Sequence, residues 1–363
     1  MIPGIRELKL KLEKEIKFSS KVFIVGHNGP DFDSIGSCIG LHVLATYLDK
    51  KAYIIVDDED SKIEPGVKKI IDENKYKYNI IKKSVFEKIY DDDSLLIITD
   101  TNKKNMISVS DYLDKFKHIY VIDHHEEDEN SIKTDDKYIS LESSSASEIV
   151  TRVLNCDRVK YDQSTANYLL AGISLDTKRF KQSTTATTHD VAEKLIDKGA
   201  DIDFVNNLFL EEFESYGRIS NLIVNGTTIK KYTESLSPIQ VSFTLNRNNP
   251  KEVYLKEDYA KAADRMMKFN GIDASFALGY VDDETVHISA RGGKKVNVGK
   301  IMKYLGGGGN PQSAGGQIKD KDLFEVEQEL MDSISEGLEE EENLVESPQT
   351  IKVKQIKKGK KSV

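Results

Sequence analysis

His27, Asp31 and Asp33 lie together in Val25-Gly26-His27-Asn28-Gly29-Pro30-Asp31-Phe32-Asp33-Ser34-Ile35-Gly36. Carboxylates packed this closely repel each other unless a cation neutralises them. Taken alone, the spacing fits ordinary loop chemistry as well as metal binding. Further groups of the same chemistry recur along the chain. Asp100 ends the run Leu95-Leu96-Ile97-Ile98-Thr99, Asp123-His124-His125 ends Ile119-Tyr120-Val121-Ile122, and Asp176 closes a helical stretch that starts near Ala166. Asp and His favour strand ends and turns in general. That preference accounts for one such case well and for four in one domain poorly. His27, Asp31, Asp33, Asp100, His124 and Asp176 together offer oxygen and nitrogen ligands without a thiolate. Such a set suits two hard or borderline divalent ions, with manganese the natural choice. A two-metal site points to phosphoryl-ester hydrolysis, with water activated and charge on the phosphorus oxygens stabilised.

These residues need elements that converge. Val22-Phe23-Ile24-Val25 reads as a buried strand. After it, Ile35, Cys38, Ile39, Ala45 and Leu48 have helical spacing, with Asp33 or Ser34 as the candidate cap. From about 20 to 125, strand and helix patterns alternate, with Ala52 to Val56 as another strand. Alternation of this kind predicts an α/β domain built on a parallel sheet, whose ligands bind at the carboxyl edge. A leading amphipathic helix is predicted over 7 to 18, and mostly helix over 145 to 210. The second half predicts strands near Gln240–Thr244, Ala274–Leu278 and Val286–Ser289, with helices near 256 to 269 and 296 to 305, a smaller mixed α/β layer. The predicted organisation is a first domain over 1–213, a polar connection over 214–236, a second domain over 237–335 and a charged, disordered tail over 336–363. The tail holds the acidic run Glu339 to Glu342 and a basic run from Lys352 to Lys361.

The spaced motifs HNGPDFDSIGS, ITDT, VIDHH and GISLDTKRF occur in the order of the DHH phosphoesterase family, which the chain resembles. A later stretch, Ile288-Ser289-Ala290-Arg291-Gly292, then Asn297 to Met302 and Gly306-Gly307-Gly308-Gly309-Asn310, is similar to the companion DHHA1 domain. Within the family, Ser143 to Glu148 and Leu170 to Phe180 look most like the catalytic half of the GdpP-type cyclic di-AMP phosphodiesterases. Those carry membrane helices, a PAS domain and a degenerate GGDEF domain ahead of this module; here it starts close to Met1, which suggests a free-standing version. By resemblance, one metal takes His27, Asp31 and Asp100, and the other Asp33, Asp100, His124 and Asp176. Asp100 bridges them, and His125 faces the scissile phosphate as a donor. Arg291, Gly307, Gly308 and Asn310 hold the far part of the nucleotide. Two positions depart from the family pattern: Asn310 stands where His is usual, and Asp100-Thr101-Asn102 replaces Asp-Thr-His. Asn can donate a hydrogen bond, but it carries no charge and transfers no proton at neutral pH.

At 363 residues two domains can each bury a core. A net charge of -9 argues against bulk duplex DNA, which is held by neutralising many phosphates. A small dinucleotide remains admissible, because metals and local cations focus the field. The two cysteines, Cys38 and Cys156, lack metal-type spacing and suit a reducing cytoplasm. There is no signal-type segment or membrane-length apolar run, so the expected location is cytoplasmic. A homodimer is left open. His42, His118, His189 and His287 lie outside the motifs and are expected to be structural or exposed. The leading expectation is a manganese-dependent phosphodiesterase opening cyclic di-AMP to linear pApA. Competing expectations are a nanoRNase-like hydrolase of short linear oligonucleotides such as pApA, and a non-catalytic nucleotide sensor. A RecJ-like exonuclease is disfavoured by the short, acidic chain.

Overall fold

The computed structural model describes residues 4–58, 63, 65–156, 159–210, 213–231, 239–246 and 249–346. The chain divides into two compact units, Met1–Leu210 and Glu211–Val363.

The first unit begins with helix α1 (Ile5–Phe18). Its buried Ile5, Leu8, Leu12 and Ile16 recur at helical spacing and form one apolar stripe. Six strands follow: β1 (Val22–Val25), β2 (Ala52–Val56), β3 (Ile80–Lys82), β4 (Leu95–Thr99), β5 (His118–Asp123) and β6 (Lys137–Ile139). They form one sheet in the order β3-β2-β1-β4-β5-β6, and every pairing is parallel. The chain crosses over through α2 (Phe32–Tyr47), α3 (Pro65–Asn74) and α4 (Lys83–Ile89). Helices α5 (Ala146–Cys156), α6 (Gln163–Asp176), α7 (Ala186–Asp197) and α8 (Ile202–Leu208) complete the unit. β1 and β4 are wholly buried and apolar apart from Thr99. They sit side by side although β2 and β3 separate them in sequence. The strand order therefore reverses between β1 and β4. A reversal opens a crevice at the carboxyl edge, where ligands of open α/β sheets bind.

The second unit has α9 (Phe213–Val224), β7 (Thr227–Lys231), β8 (Ile239–Thr244), α10 (Lys256–Met266), β9 (Ala274–Tyr280), β10 (Thr285–Gly292), α11 (Val298–Tyr304), β11 (Gly308–Gly309), β12 (Ser313–Lys319) and α12 (Leu323–Glu346). Its sheet runs β11-β12-β10-β9-β8-β7. Only the β8–β9 pair is parallel, so the layer is mixed.

Two expected boundaries are corrected. Residues 214–236 are not simply a connection. α9 buries Ile219 and Leu222 against Tyr254 and Tyr259, and β7 pairs with β8, Ile229 opposite Val241. The polar residues there hide a narrow apolar face of helical period. The charged tail expected from 336 is helical as far as Glu346. Leu323, Val326, Leu330, Ile334 and Leu338 recur at helical spacing and pack into the core of the second unit, so the glutamate run continues an anchored helix. The basic run Lys352–Lys361 lies outside the described residues. Among the described residues no helix is long and apolar enough to cross a membrane.

Candidate active site

The turn from β1 into α2 delivers the first three groups. His27 Nδ1 lies 3.1 Å from the Asn28 carbonyl, which leaves Nε2 as the outward edge. Asp31, and neither Asp33 nor Ser34, caps α2. Its Oδ1 accepts from Asp33 N at 2.9 Å and Ser34 N at 3.0 Å. Extended backbone at Asp31 lets the carboxylate reach the free amides of the first turn. Its other oxygen, Oδ2, lies 3.6 Å from His27 Nε2. Asp33 is completely buried, and its carboxylate faces the start of α5: Oδ2 accepts from Ala146 N at 2.7 Å and Oδ1 from Ser147 N at 2.8 Å. The positive end of the α5 dipole therefore supports this buried anion.

β4 and β5 deliver the next groups. Asp100 follows β4 in a left-handed backbone conformation, φ 59°. Its amide bonds the Ile122 carbonyl at 3.1 Å, which ties the turn to β5. Asp100 Oδ2 lies 3.5 Å from His27 Nε2, and Oδ1 lies 3.4 Å from His124 Nε2. Asp176, at the end of α6, places Oδ2 3.1 Å from His124 Nε2, and Asp33 Oδ2 is 3.8 Å from it. His27, Asp31 and Asp100 form one cluster whose ligand atoms lie within 4.8 Å of each other; Asp33, Asp100, His124 and Asp176 form a second. Asp100 belongs to both.

The electrostatics of these clusters favour a cation. Burial raises the Asp33 carboxyl far above the ordinary range, and the Asp100 and Asp176 charges raise it further. At His27 and His124 burial disfavours the charged ring, but the neighbouring carboxylates outweigh it and push both up to about 11. Burial also opposes ionisation of Asp100, yet the two imidazoles hold it down at about 2. The neighbouring carboxylates thus favour positive charge at both rings. His124 Nε2 is buried, aims at three carboxylates, and has no well-aligned hydrogen bond. An imidazole edge and carboxylate oxygens converging in this way fit divalent metal ions with oxygen and nitrogen ligands.

His125 lies beside the second cluster, its ring centroid 4.1 Å from that of His124, and its side chain is 56% exposed. Its Nδ1 lies 2.8 Å from Asp123 Oδ1, which also accepts from His124 N at 2.8 Å. A further grouping of Asp100, Asp123, His124 and His125 also falls within metal-ligand reach, but its Asp123–His125 pair is already engaged. Reasoning from sequence passed over Asp123 and the amides of Ala146 and Ser147. A signal existed for Asp123, a carboxylate ending a buried strand two residues before His125. None existed for the α5 amides, because backbone donors carry no side-chain signature.

The residues expected to hold the far part of a nucleotide lie in the second unit. Arg291 lies one residue before the end of β10 and is not free: Nε donates to Asp264 Oδ1 at 2.8 Å, Nη2 to Asp264 Oδ2 at 3.2 Å, and Nη1 to the Ala290 carbonyl at 3.0 Å. The glycine run makes the short β11–β12 ladder. At Gly307 a Cβ would lie 2.5 Å from the Gly315 carbonyl, so close backbone packing already requires a glycine there. Gly308 faces open space. Asn310 Oδ1 accepts from Gln312 N at 2.9 Å and Ser313 N at 2.7 Å, closing the turn.

Residues 21–173 match the DHH family, N-terminal domain, and residues 243–340 match the DHHA1 domain. The chain belongs to the DHH family, in the form that joins a DHH domain to a DHHA1 domain. It is 34% identical over 343 residues to the cyclic-di-AMP phosphodiesterase GdpP of Bacillus subtilis, covering 92% of this chain and 50% of the relative. It is 32% identical over 336 residues to the cyclic-di-AMP phosphodiesterase PdeA of Listeria monocytogenes, covering 91% of this chain and 49% of the relative. The chain thus spans about half the length of these relatives. The fold is also similar to the crystal structure of an exopolyphosphatase-related protein from Bacteroides fragilis, with TM-score 0.70 and 20% identity over 93% of this chain and 98% of that one.

Proposed function

We propose that this chain is a manganese-dependent phosphodiesterase that hydrolyses cyclic di-AMP to linear pApA. The observation that carries the reading is the pair of ligand clusters sharing Asp100 at the carboxyl edge of the parallel sheet. Its likeness to two cyclic-di-AMP phosphodiesterases supports the substrate. One cluster, His27, Asp31 and Asp100, would hold one ion; the other, Asp33, Asp100, His124 and Asp176, would hold the second. Bound there, divalent ions supply Lewis acidity toward water and the phosphoryl oxygens. Oxygen and nitrogen donors without thiolate favour manganese over softer metals.

The residues divide the remaining work. His125, with Nδ1 anchored on Asp123, presents Nε2 as a donor to the reacting phosphate. In the reaction, water oxygen bonds to phosphorus and the bond from phosphorus to the ribose 3′ oxygen breaks. One water proton ends on that 3′ oxygen, leaving a linear product with a 5′ phosphate. Arg291, Gly307, Gly308 and Asn310 would bind the part of the nucleotide away from the reacting bond. For Arg291 this means exchanging the Asp264 carboxylate for a phosphate, a swap its forked donors suit.

The test is turnover of cyclic di-AMP, cyclic di-GMP and pApA side by side with manganese. Fastest opening of cyclic di-AMP is expected. Clearly faster cleavage of pApA would overturn the substrate and favour a hydrolase of short linear oligonucleotides. Tight binding without turnover of any of the three would mark a sensor.

A further inference from the structure

We propose that Asn102 is the positioning residue that sets the His125 ring, acting through Asp123. The inference rests on the reading of His125 as the group facing the phosphate. Asn102 is 1% exposed, although it directly follows the Asp100-Thr101 turn. Its Nδ2 donates to Asp123 Oδ2 at 2.8 Å and to the His125 carbonyl at 3.1 Å, with the Glu126 carbonyl at 3.4 Å beside it. Its Oδ1 accepts from Ser131 Oγ at 2.9 Å, and its backbone carbonyl accepts from Ile132 N at 2.7 Å. One buried amide thus holds both a carboxylate and the main chain of the residue that this carboxylate orients.

Geometry makes the arrangement directional. Asp123 is completely buried and accepts from three donors: Asn102 Nδ2, His124 N and His125 Nδ1. A buried carboxylate held on both oxygens has one orientation, and a ring bonded to it inherits that orientation. His125 is fixed twice, at Nδ1 by Asp123 and at its carbonyl by Asn102. Only Nε2 is left to meet a substrate. Neither Asn102 nor the Asp123 it holds is among the proposed metal ligands, so its effect is expected to be separable from metal binding. An Asp at position 102 keeps the size but turns both donors into acceptors, facing Asp123 oxygen to oxygen. The His125 anchor would lose its support while His27, Asp31, Asp33, Asp100, His124 and Asp176 remain.

The experiment combines a double-mutant cycle with nitrogen spectroscopy. Asn102→Asp is expected to lower kcat for cyclic di-AMP by about tenfold or more, with a smaller change in KM and unchanged metal content. In a His125→Ala background the same substitution is expected to cost almost nothing further, because both changes act on one group. Asn102→His, whose ring N–H can replace the amide donor, is expected to recover most of the rate. Equal losses in both backgrounds, or loss of metal with Asn102→Asp, would overturn the proposal. If Asn102→Asp does not fold, Asn102→Ala enters the same cycle with the same criteria. The ¹⁵N signals of the His125 ring, recorded with magnesium in place of manganese, give a readout independent of turnover. In the unaltered protein they should show Nδ1 bonded to a carboxylate, and in Asn102→Ala they should shift or broaden. If the unaltered protein cleaves no dinucleotide, the functional reading fails while the ring signals still decide the role of Asn102. Ring signals identical with and without Asn102 would sink the positioning role itself.

Discussion

At the scale of single residues, Asp100 and His125 carry the two proposed roles, metal holding and phosphate contact, and substitutions tell them apart. Asp100 is buried, sits in both ligand clusters, and adopts a left-handed backbone that ordinary residues occupy at a cost of about 1 kcal/mol or more. The neighbouring bond from its amide to Ile122 maintains that conformation. Asp100→Ala removes a ligand from each cluster at once. Its expected outcome is weakened binding at both sites and loss of most activity, read by elemental analysis and manganese titration. No bound metal by elemental analysis, together with chelator-resistant turnover, would contradict the two-metal reading. His125 is bonded to Asp123 and lies outside both proposed ligand sets. His125→Ala is therefore expected to lower kcat by about a hundredfold, the size typical of losing one donor to developing charge. Metal content should stay as in the unaltered protein; a lost ion would mean that the roles of His124 and His125 are exchanged.

At the scale of elements, the site depends on how closely α6 and α5 approach the start of α2. Gly172 in α6 has no room for a side chain: a Cβ would lie 2.8 Å from Asp33 Oδ1 and 2.9 Å from Asp33 Cα. In an open helix, Gly→Ala stabilises by about 1 kcal/mol. Here overpacking, about 1–3 kcal/mol, opposes that gain and acts directly on a proposed ligand. Gly172→Ala is expected to lower the melting temperature. It should also weaken the cluster of Asp33, Asp100, His124 and Asp176 more than that of His27, Asp31 and Asp100. Calorimetric metal titration is expected to show one strong site in the variant and two in the unaltered protein. A higher melting temperature with both sites intact would mean that α6 shifts aside freely.

On the scale of the whole molecule, each unit holds a histidine outside the proposed chemistry, His42 buried and His287 half-buried. His42 packs edge-on against Tyr78 in the first unit, with ring centroids 5.7 Å apart. His287 lies on β10 in the second. Burial pushes both down to about 4. Unfolded, such rings titrate near 6.5. Between these values the unfolded chain binds protons that the folded chain does not. Stability from these groups is therefore complete above about pH 6.5 and declines as the pH falls toward 4, by up to roughly 3 kcal/mol for the well-buried His42. The carboxylate clusters titrate too, so the check is a difference. Denaturation midpoints of the unaltered protein and of His42→Phe should diverge between pH 7 and pH 4.5, with the unaltered protein losing more. Parallel profiles would show that His42 is solvated in the folded state.

The residue types at the site were legible because the information is local. Apolar runs mark buried strands, parallel strands share a carboxyl edge, and a carboxylate or imidazole closing each run must stand on that edge. The α/β class, most strand positions, and His27, Asp100 and His124 among the proposed ligands follow from this logic, while Asp31, Asp33 and Asp176 stand at helix ends. Local pattern does not rank strand neighbours, however. β1 lies beside β4, which brings His27 to Asp100, and that order depends on packing energies summed over the whole sheet. The support for Asp33 comes from amides 113 and 114 residues further along the chain. The buried amide of Asn102 gains its meaning only from Asp123 across the neighbouring strand. Residues 214–231 carry a polar composition, yet they form a helix and an edge strand, because two buried side chains and a row of backbone hydrogen bonds outweigh that composition. Sequence by itself determined which side chains could do the chemistry. Tertiary structure decided which of them meet and what holds them, because contacts between distant segments are set by the energy of the fold and not by any local pattern.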